Sequence, residues 1–311
     1  MVLLVSLLAG CNASKNAAKA QRLLNNDYCV VDTNEIADYV KPYCRNTDSL
    51  FSRDTLLSKI FSRKEIAVAN AAGMIPLIRQ WLDVHQFTSV DDRIEQLQIN
   101  LRIQQRIARI REEISGITAE LNCESERATR AIDYLDNFYK TRNTRLTVAA
   151  IIAGAFTTIV PIAVKDQGTQ NALVISGAAA STIFGVLALR SNKKTVEFVH
   201  RRNWLTDIWY APAESNLYPP AIWFMLTGKE FNSGRADMSI QQNLKWRWMD
   251  KEFGNALDPD LEKLVFSQGG IYSEDNLSTR RNLLKQLQAA VQLLNVHIEM
   301  LAASLNRMMV P

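Results

Sequence analysis

Residues 146–164 read LTVAAIIAGAFTTIVPIAV and residues 172–189 read ALVISGAAASTIFGVLAL, two runs of about 19 and 18 residues without a charged side chain. Between them lies KDQGTQN, residues 165–171, with Gly168 placed to reverse the chain. At 1.5 Å of rise per residue each run extends roughly 27–29 Å as a helix, close to the thickness of the hydrocarbon core of a bilayer. So short a turn between two such runs leaves only an antiparallel pair, so residues 146–189 are expected to form a transmembrane helical hairpin. Small residues recur at every fourth position on both arms: Ala150, Gly154 and Thr158 on the first, Gly177, Ser181 and Gly185 on the second. Such stripes let backbones approach closely where no hydrophobic effect drives helices together. The competing reading is a soluble, Ala-rich hairpin buried in a helical core. The uncharged length of both arms favours the membrane.

The segments on either side carry a different pattern. Ile103, Ile107, Ile110, Ile114, Ile117 and Leu121 alternate steps of four and three, and the register continues through Ala128, Ala131, Leu135 and Phe138, broken only at Glu124. That is a heptad seam on a surface of Arg, Glu and Gln, and it requires a partner helix alongside. With only Gly116 as a breaker before Leu146, the helix is expected to run from Asp92 into the first apolar arm, on the order of 110 Å if unbroken. A second seam, Leu284, Leu287, Val291, Leu294, Ile298, Leu301, Leu305 and Met308, follows Ser273, Glu274 and Asp275, which suit a cap and a first turn. The two seams are expected to pack together below the hairpin.

The remaining stretches read as shorter helices. Thr33–Tyr43 and Asp54–His85 are expected to be helical, the latter weakened at Gly73 and kinked at Pro76. After the second arm, Val196, Val199, Leu205 and Ile208 form a loose helical stripe. A short helix begins at Pro219–Pro220 and stops at Gly228, another covers Met238–Phe253, and a third covers Asp258–Phe266 before the loop SQGGIYSEDN. Five of the six Trp residues fall between Trp204 and Trp248, as the core of a small globular module or, alternatively, as an aromatic belt at headgroup level. The fold class is all-α: an elongated helical bundle with a coiled-coil stalk and an apolar transmembrane hairpin. The expected division is a signal peptide over 1–10, an N-terminal helical region over 11–91, the stalk helix over 92–145, the hairpin over 146–189, an aromatic-rich helical region over 190–275 and the C-terminal coiled-coil helix over 276–311.

The chain opens MVLLVSLLAGC, an apolar run ending in small residues, as a secretory signal does. Leu8-Ala9-Gly10-Cys11 resembles the lipobox of bacterial lipoproteins. That resemblance implies cleavage before Cys11, palmitate-bearing lipidation of its sulfur and, with Asn12 next, sorting to the outer membrane facing the periplasm. Two departures stand out: no Lys or Arg precedes the apolar run, and the run is only about seven residues; a start upstream of Met1 would supply both. Cys29 and Cys44, both preceded by Tyr, are a possible disulfide in an oxidising compartment, with two buried thiols the alternative; Cys123 is expected to be free.

With 47% hydrophobic and 22% charged residues the chain is not disordered, and a net charge of +4 without a basic stripe does not point to nucleic acid. There is no GxSxG, P-loop, GxGxxG, CxxC or HExxH. His85, His200 and His297 stand apart from any second ligand, so no catalytic, cofactor-binding or metal-binding residue is assigned and no enzyme is expected. Basic residues flank both arms: Lys140, Arg142 and Arg145 before the first, Arg190, Lys193, Lys194, Arg201 and Arg202 after the second. For insertion from the cytoplasm this collar would keep both flanks inside, against the exported body of a lipoprotein. Entry of the hairpin from the exported side, with the collar on acidic headgroups, reconciles the two.

Over residues 92–308 the layout of stalk, apolar tip and smaller body resembles that of α-helical pore-forming toxins. This implies membrane lipids and copies of the same chain as partners; other envelope proteins are the partners if the hairpin serves as a scaffold. The alternative is an inner-membrane protein with a two-helix hairpin, cytoplasmic helical domains and an accidental lipobox.

Overall fold

The structure, a computed structural model, describes residues 28–30, 39–84, 89–163, 182, 195–232, 234 and 237–309. It is predominantly helical with a little strand. The chain divides into two compact units that are discontinuous in sequence. One contains Arg127–Phe198 and Gly270–Ser278; the other contains Asp27–Glu126, Val199–Gly269 and Thr279–Pro311.

The larger unit begins with four short helices, α1 (Thr47–Arg53), α2 (Thr55–Ile60), α3 (Arg63–Ala71) and α4 (Ile75–Val84). The single helix expected over Asp54–His85 is thus cut into three, for reasons local to the chain. Asp54 caps α2 by accepting from the Leu57 N–H, and Ser62 and Glu65 form a reciprocal capping box that starts α3 anew. Gly73 has φ +59°, and a Cβ there would lie 2.7 Å from the Lys41 carbonyl oxygen, so only glycine makes this corner. Pro76 lies in the first turn of α4, where its missing N–H breaks no bond, and does not kink a helix. Tyr39–Tyr43 is not helical, contrary to the expectation for Thr33–Tyr43; residues 31–38 lie outside the described residues. Lys41 precedes Pro42, and the strand-like segment spends its backbone on neighbours instead: Val40 accepts from the Ala221 N–H and Tyr43 donates to Asn70.

Helix α5 (Val90–Ala163) is 74 residues long, and it crosses the boundary between the two units. In the larger unit its seam residues Ile103, Ile107, Ile110, Ile114, Ile117 and Leu121 are buried. The last helix of the chain, Glu274–Met309, buries Leu284, Leu287, Val291, Leu294, Ile298, Leu301 and Leu305. Arg111 pairs with Glu299 and Glu124 with Arg280, so the two seams run antiparallel in this unit. The aromatic module lies between them in sequence: α6 (Leu205–Tyr210), α7 (Pro220–Thr227), α8 (Ile240–Arg247), a π-helical turn over Trp248–Glu252 and α9 (Pro259–Phe266). Trp209 stacks on Phe266 with centroids 4.4 Å apart, and Trp204, Trp223 and Trp248 are buried, which makes the cluster a packed core with Trp246 exposed at its surface.

In the smaller unit the helical reading of residues 195–199 is overturned. Thr195–Val199 is strand β1, paired with β2 (Gly269–Ser273) in a two-stranded sheet, and the loop expected over 267–276 supplies the second strand. The reason is the alternation in TVEFV: Val196 and Phe198 are buried while Thr195, Glu197 and Val199 are exposed, a period of two. Phe198 meets Tyr272 edge-on at 5.8 Å, and the Arg127 guanidinium lies 4.2 Å from the Phe198 ring centroid. Ala128, Ala131, Leu135 and Leu277 are buried in the same unit. The final helix, α10 (Glu274–Met309), starts directly after β2, where Ser273 accepts from the Asn276 N–H.

Candidate functional site

Two sets of residues stand out, one apolar and one charged. The first is the stretch of α5 where the first apolar arm begins. Val148, Ile151 and Ile152 are 49%, 65% and 53% exposed, and Thr147 and Ala155 are exposed as well. Leu146, Ala149 and Ala150 are half-buried. The exposed positions share one face of the helix and the half-buried ones the other, so the branched residues Val148, Ile151 and Ile152 point outward, whereas a soluble hairpin would turn them inward. Lys140 and Arg145 just before this stretch are exposed. Lys140 hydrogen-bonds Asp136 at 2.6 Å, which raises its ammonium above the ordinary range.

The hairpin as a whole lies mostly outside the described residues. Gly177, Ser181 and Gly185 fall there, as do the side chains at 154 and 158; Ala150 is described, and so is Thr182, which is helical and exposed. Cys11 also lies outside. Among the described residues no helix is long and apolar enough to cross a membrane.

The second set is a line of buried charges in the larger unit. Glu120 and Glu124 are one turn apart on α5, on the face that also carries the seam. Arg202, in the turn after β1, donates to Glu120 at 3.0 Å. Arg280, fully buried on α10, lies 3.8 Å from Glu124 and donates to Asn203 Oδ1 at 3.1 Å and to the Val265 carbonyl at 3.0 Å. The Asn203 side-chain amide in turn donates to the Val265 and Ser267 carbonyls. Burial pushes the Glu120 carboxyl above its ordinary range, against the pull of Arg202. Each carboxylate here is matched to a guanidinium, so the cluster joins α5, the β1–α6 turn, α9 and α10 into one arrangement. The break at Glu124 in an otherwise apolar seam is the signal that finds this cluster in sequence; Arg280 and Asn203 leave no such mark.

Glu113, about two turns before Glu120, accepts the Val40 N–H at 3.1 Å, and burial pushes its carboxyl up to about 7 against the opposing effect of Arg109 and Arg106. His297 is buried against Phe231, its Nε2 3.0 Å from the Phe231 carbonyl oxygen; burial, with Lys64 adding to it, lowers its pKa. His200 is buried and His85 lies outside the described residues. Among the described residues no group of three His, Cys, Asp or Glu is placed to hold a metal.

The cysteines pair otherwise than expected. Cys29 is bonded to Cys123, with Cα atoms 5.6 Å apart, and Cys44 is free. Cys44 is held elsewhere by Asn70, which accepts from its N–H at 2.8 Å and donates to its carbonyl at 2.9 Å. Cys29 meanwhile lies against α5, so the nearer partner in sequence is not the nearer one in space. No family profile matches this chain, no curated protein is similar to it and no solved structure matches its fold.

Proposed function

We propose that this chain is a non-enzymatic, lipid-anchored protein of the bacterial cell envelope that inserts the hairpin over residues 146–189 into a membrane and oligomerises, as a scaffold or as an α-helical pore. The observation that carries the reading is the exposure of Val148, Ile151 and Ile152 where the uncharged arm begins. In water three half-exposed branched side chains forgo roughly 1 kcal/mol of burial apiece, and acyl chains supply what the protein does not. The Cys29–Cys123 bond adds independent support, because disulfides persist in oxidising compartments such as the periplasm. The lipobox over Leu8–Cys11 then gives the route of export and the anchor.

Scaffold and pore differ in what lines the hairpin. Thr147, Thr157, Thr158, Ser176, Ser181 and Thr182 are the hydroxyl side chains of the two arms. That is a thin polar stripe for a water-filled channel, and it favours the scaffold. The inner-membrane reading draws on Lys140, Arg142 and Arg145 before the hairpin and Arg190, Lys193 and Lys194 after it. It leaves a disulfide in a reducing cytoplasm, which counts against it.

Metabolic labelling with palmitate, with Cys11→Ala as control, tests the anchor. Label on the native chain and none on the variant is expected; equal labelling of both would remove the lipoprotein. Liposomes loaded with dye separate the remaining readings, since a pore releases dye on addition of purified protein and a scaffold does not. Within the membrane, Ser181→Leu is expected to reduce oligomer size in detergent, because a large side chain would break the Gly177–Ser181–Gly185 stripe. An unchanged size would show that the stripe is not the contact.

A further inference from the structure

The start of α5 carries an apolar face that the bundle leaves uncovered. Val90, Ile94, Leu97 and Leu101 succeed one another in steps of four, three and four and are between 49% and 74% exposed. The opposite side of the same turns is occupied: Ile99 and Ile103 are buried, Gln80 of α4 donates to Glu95 at 2.9 Å, and Gln96 donates to the Val84 carbonyl at 3.2 Å. One flank of the exposed stripe is a groove of about 350 Å³ between α4 and α5, lined by Asp91, Ile94, Gln98 and Arg102 among others. Of its three charged residues Glu95 accepts from Gln80 of α4, and the other two sit at its ends. Asp91 is in the first turn of α5, and Arg102 lies 11 positions on, about 16 Å along the axis. Asp92, by contrast, is committed to the cap, accepting from the Ser89 N–H at 2.9 Å.

We infer that this face binds a second copy of the chain in antiparallel register, Val90 opposite Leu101 and Ile94 opposite Leu97, with Asp91 of each copy beside Arg102 of the other. An acid at one end and a base at the other of an apolar stripe, with Glu95 turned to Gln80 of its own chain, is a self-complementary surface. Reversing its direction brings unlike charges together at both ends, which is what a two-fold interface requires. A parallel pair would set Asp91 level with Asp91 and Arg102 level with Arg102, about 16 Å apart along the axis, so that no acid would meet a base. Antiparallel seams place the residues of alternate steps in common layers, and the sums 90 + 101 and 94 + 97 agree, so four apolar layers form without a gap. The contact lies in the aqueous part of the chain and does not depend on the hairpin entering a membrane.

Cross-linking reads the register directly. Full-length Val90→Cys and Leu101→Cys chains, each also carrying Cys44→Ser, would be mixed in detergent and treated with a short bis-maleimide, the Cys44→Ser chain serving as background. Mixed dimers of the two chains are expected to dominate. Dominance of Leu101-to-Leu101 dimers would overturn the antiparallel register, and the absence of any cross-link above background would overturn the interface. Sedimentation supplies the second measurement. Asp91→Arg and Arg102→Asp should each weaken association by about tenfold, two exposed pairs being lost by symmetry, and together restore it. A double variant no better than the singles would refute the charge pairing. Leu97→Glu should weaken association on the order of 100-fold while leaving the thermal unfolding of the chain in place. Self-association unaltered by Leu97→Glu would assign oligomers to the hairpin alone, and the dye-release outcome would stand regardless.

Discussion

One helix, α5, lives under two regimes. Between Ile103 and Leu121 every seam residue is buried, and the outward positions are charged, polar or small. Between Thr147 and Ala155 the branched residues are themselves the exposed ones. The backbone conformation is the same throughout, so helix propensity explains neither pattern. What differs is which face carries the apolar residues: the two-in-seven stripe is turned onto a neighbouring helix, while in the arm the branched residues lie on the outward face. The charges differ too. In the bundle the buried carboxylates Glu120 and Glu124 each face an arginine, Arg202 and Arg280; at the start of the arm Lys140 and Arg145 are exposed.

The largest effect expected from breaking this contrast is at Arg280. Arg280→Ala leaves Glu124 buried without its partner and the Asn203 and Val265 acceptors short of a donor, and should cost about 3–5 kcal/mol in urea unfolding. Removing both charges as Glu124→Leu with Arg280→Met should cost far less, since the penalty comes from the stranded charge. A single variant within about 1 kcal/mol of the native chain would mean that water reaches Glu124.

Next is a matched pair of truncations on α5. Ile110→Ala, in the seam, should cost about 2–5 kcal/mol, and Ile151→Ala, in the arm, within about 0.5 kcal/mol for the detergent-solubilised chain. Equal costs would show that Ile151 has a protein partner, and the apolar exposure that supports the membrane reading would go with it.

The smallest effect is a pH dependence. The Glu113 carboxyl is raised from 4.5 to about 7 by burial, so the folded chain holds its proton where the unfolded chain has released it. Its contribution to stability is therefore fully present below pH 4.5 and is lost as pH rises towards 7, opposite to a paired carboxylate. Glu113→Gln, which keeps an acceptor for the Val40 N–H, should flatten that part of the curve. A curve of unchanged slope would place the dependence on another group.

Much of the helical frame was legible because it rests on periodicity, which a sequence carries explicitly. The seams from Ile103 and from Leu284, the starts at Pro220 and Asp258, and the cap at Ser273 are each set by side chains within a turn of one another. The strand at Thr195–Val199 was not, because Val196 and Val199, three apart, fit a helical stripe as well as an alternating strand, and its partner lies about 70 residues further along. The helix expected over Asp54–His85 failed differently: its apolar residues are continuous, but the capping box at Ser62 and the corner at Gly73 divide it. Of the candidate site, the lipobox and the small-residue stripes could be read from spacing alone, and all but Ala150 of their side chains lie outside the described residues. The disulfide could not, since spacing says nothing of which cysteines fold together.

Sequence by itself determined where this chain is amphipathic, where it is apolar throughout and where its helices can start, since those are properties of residues within a few turns of each other. Only the tertiary structure decided that Glu124 is met by Arg280, that Cys29 finds Cys123 past the nearer Cys44, and that Val148, Ile151 and Ile152 remain uncovered. The two contacts join segments 94 and 156 residues apart, and the free energy of such a contact, or of its lack, is set by burial and by neighbours from other elements, which no local window contains.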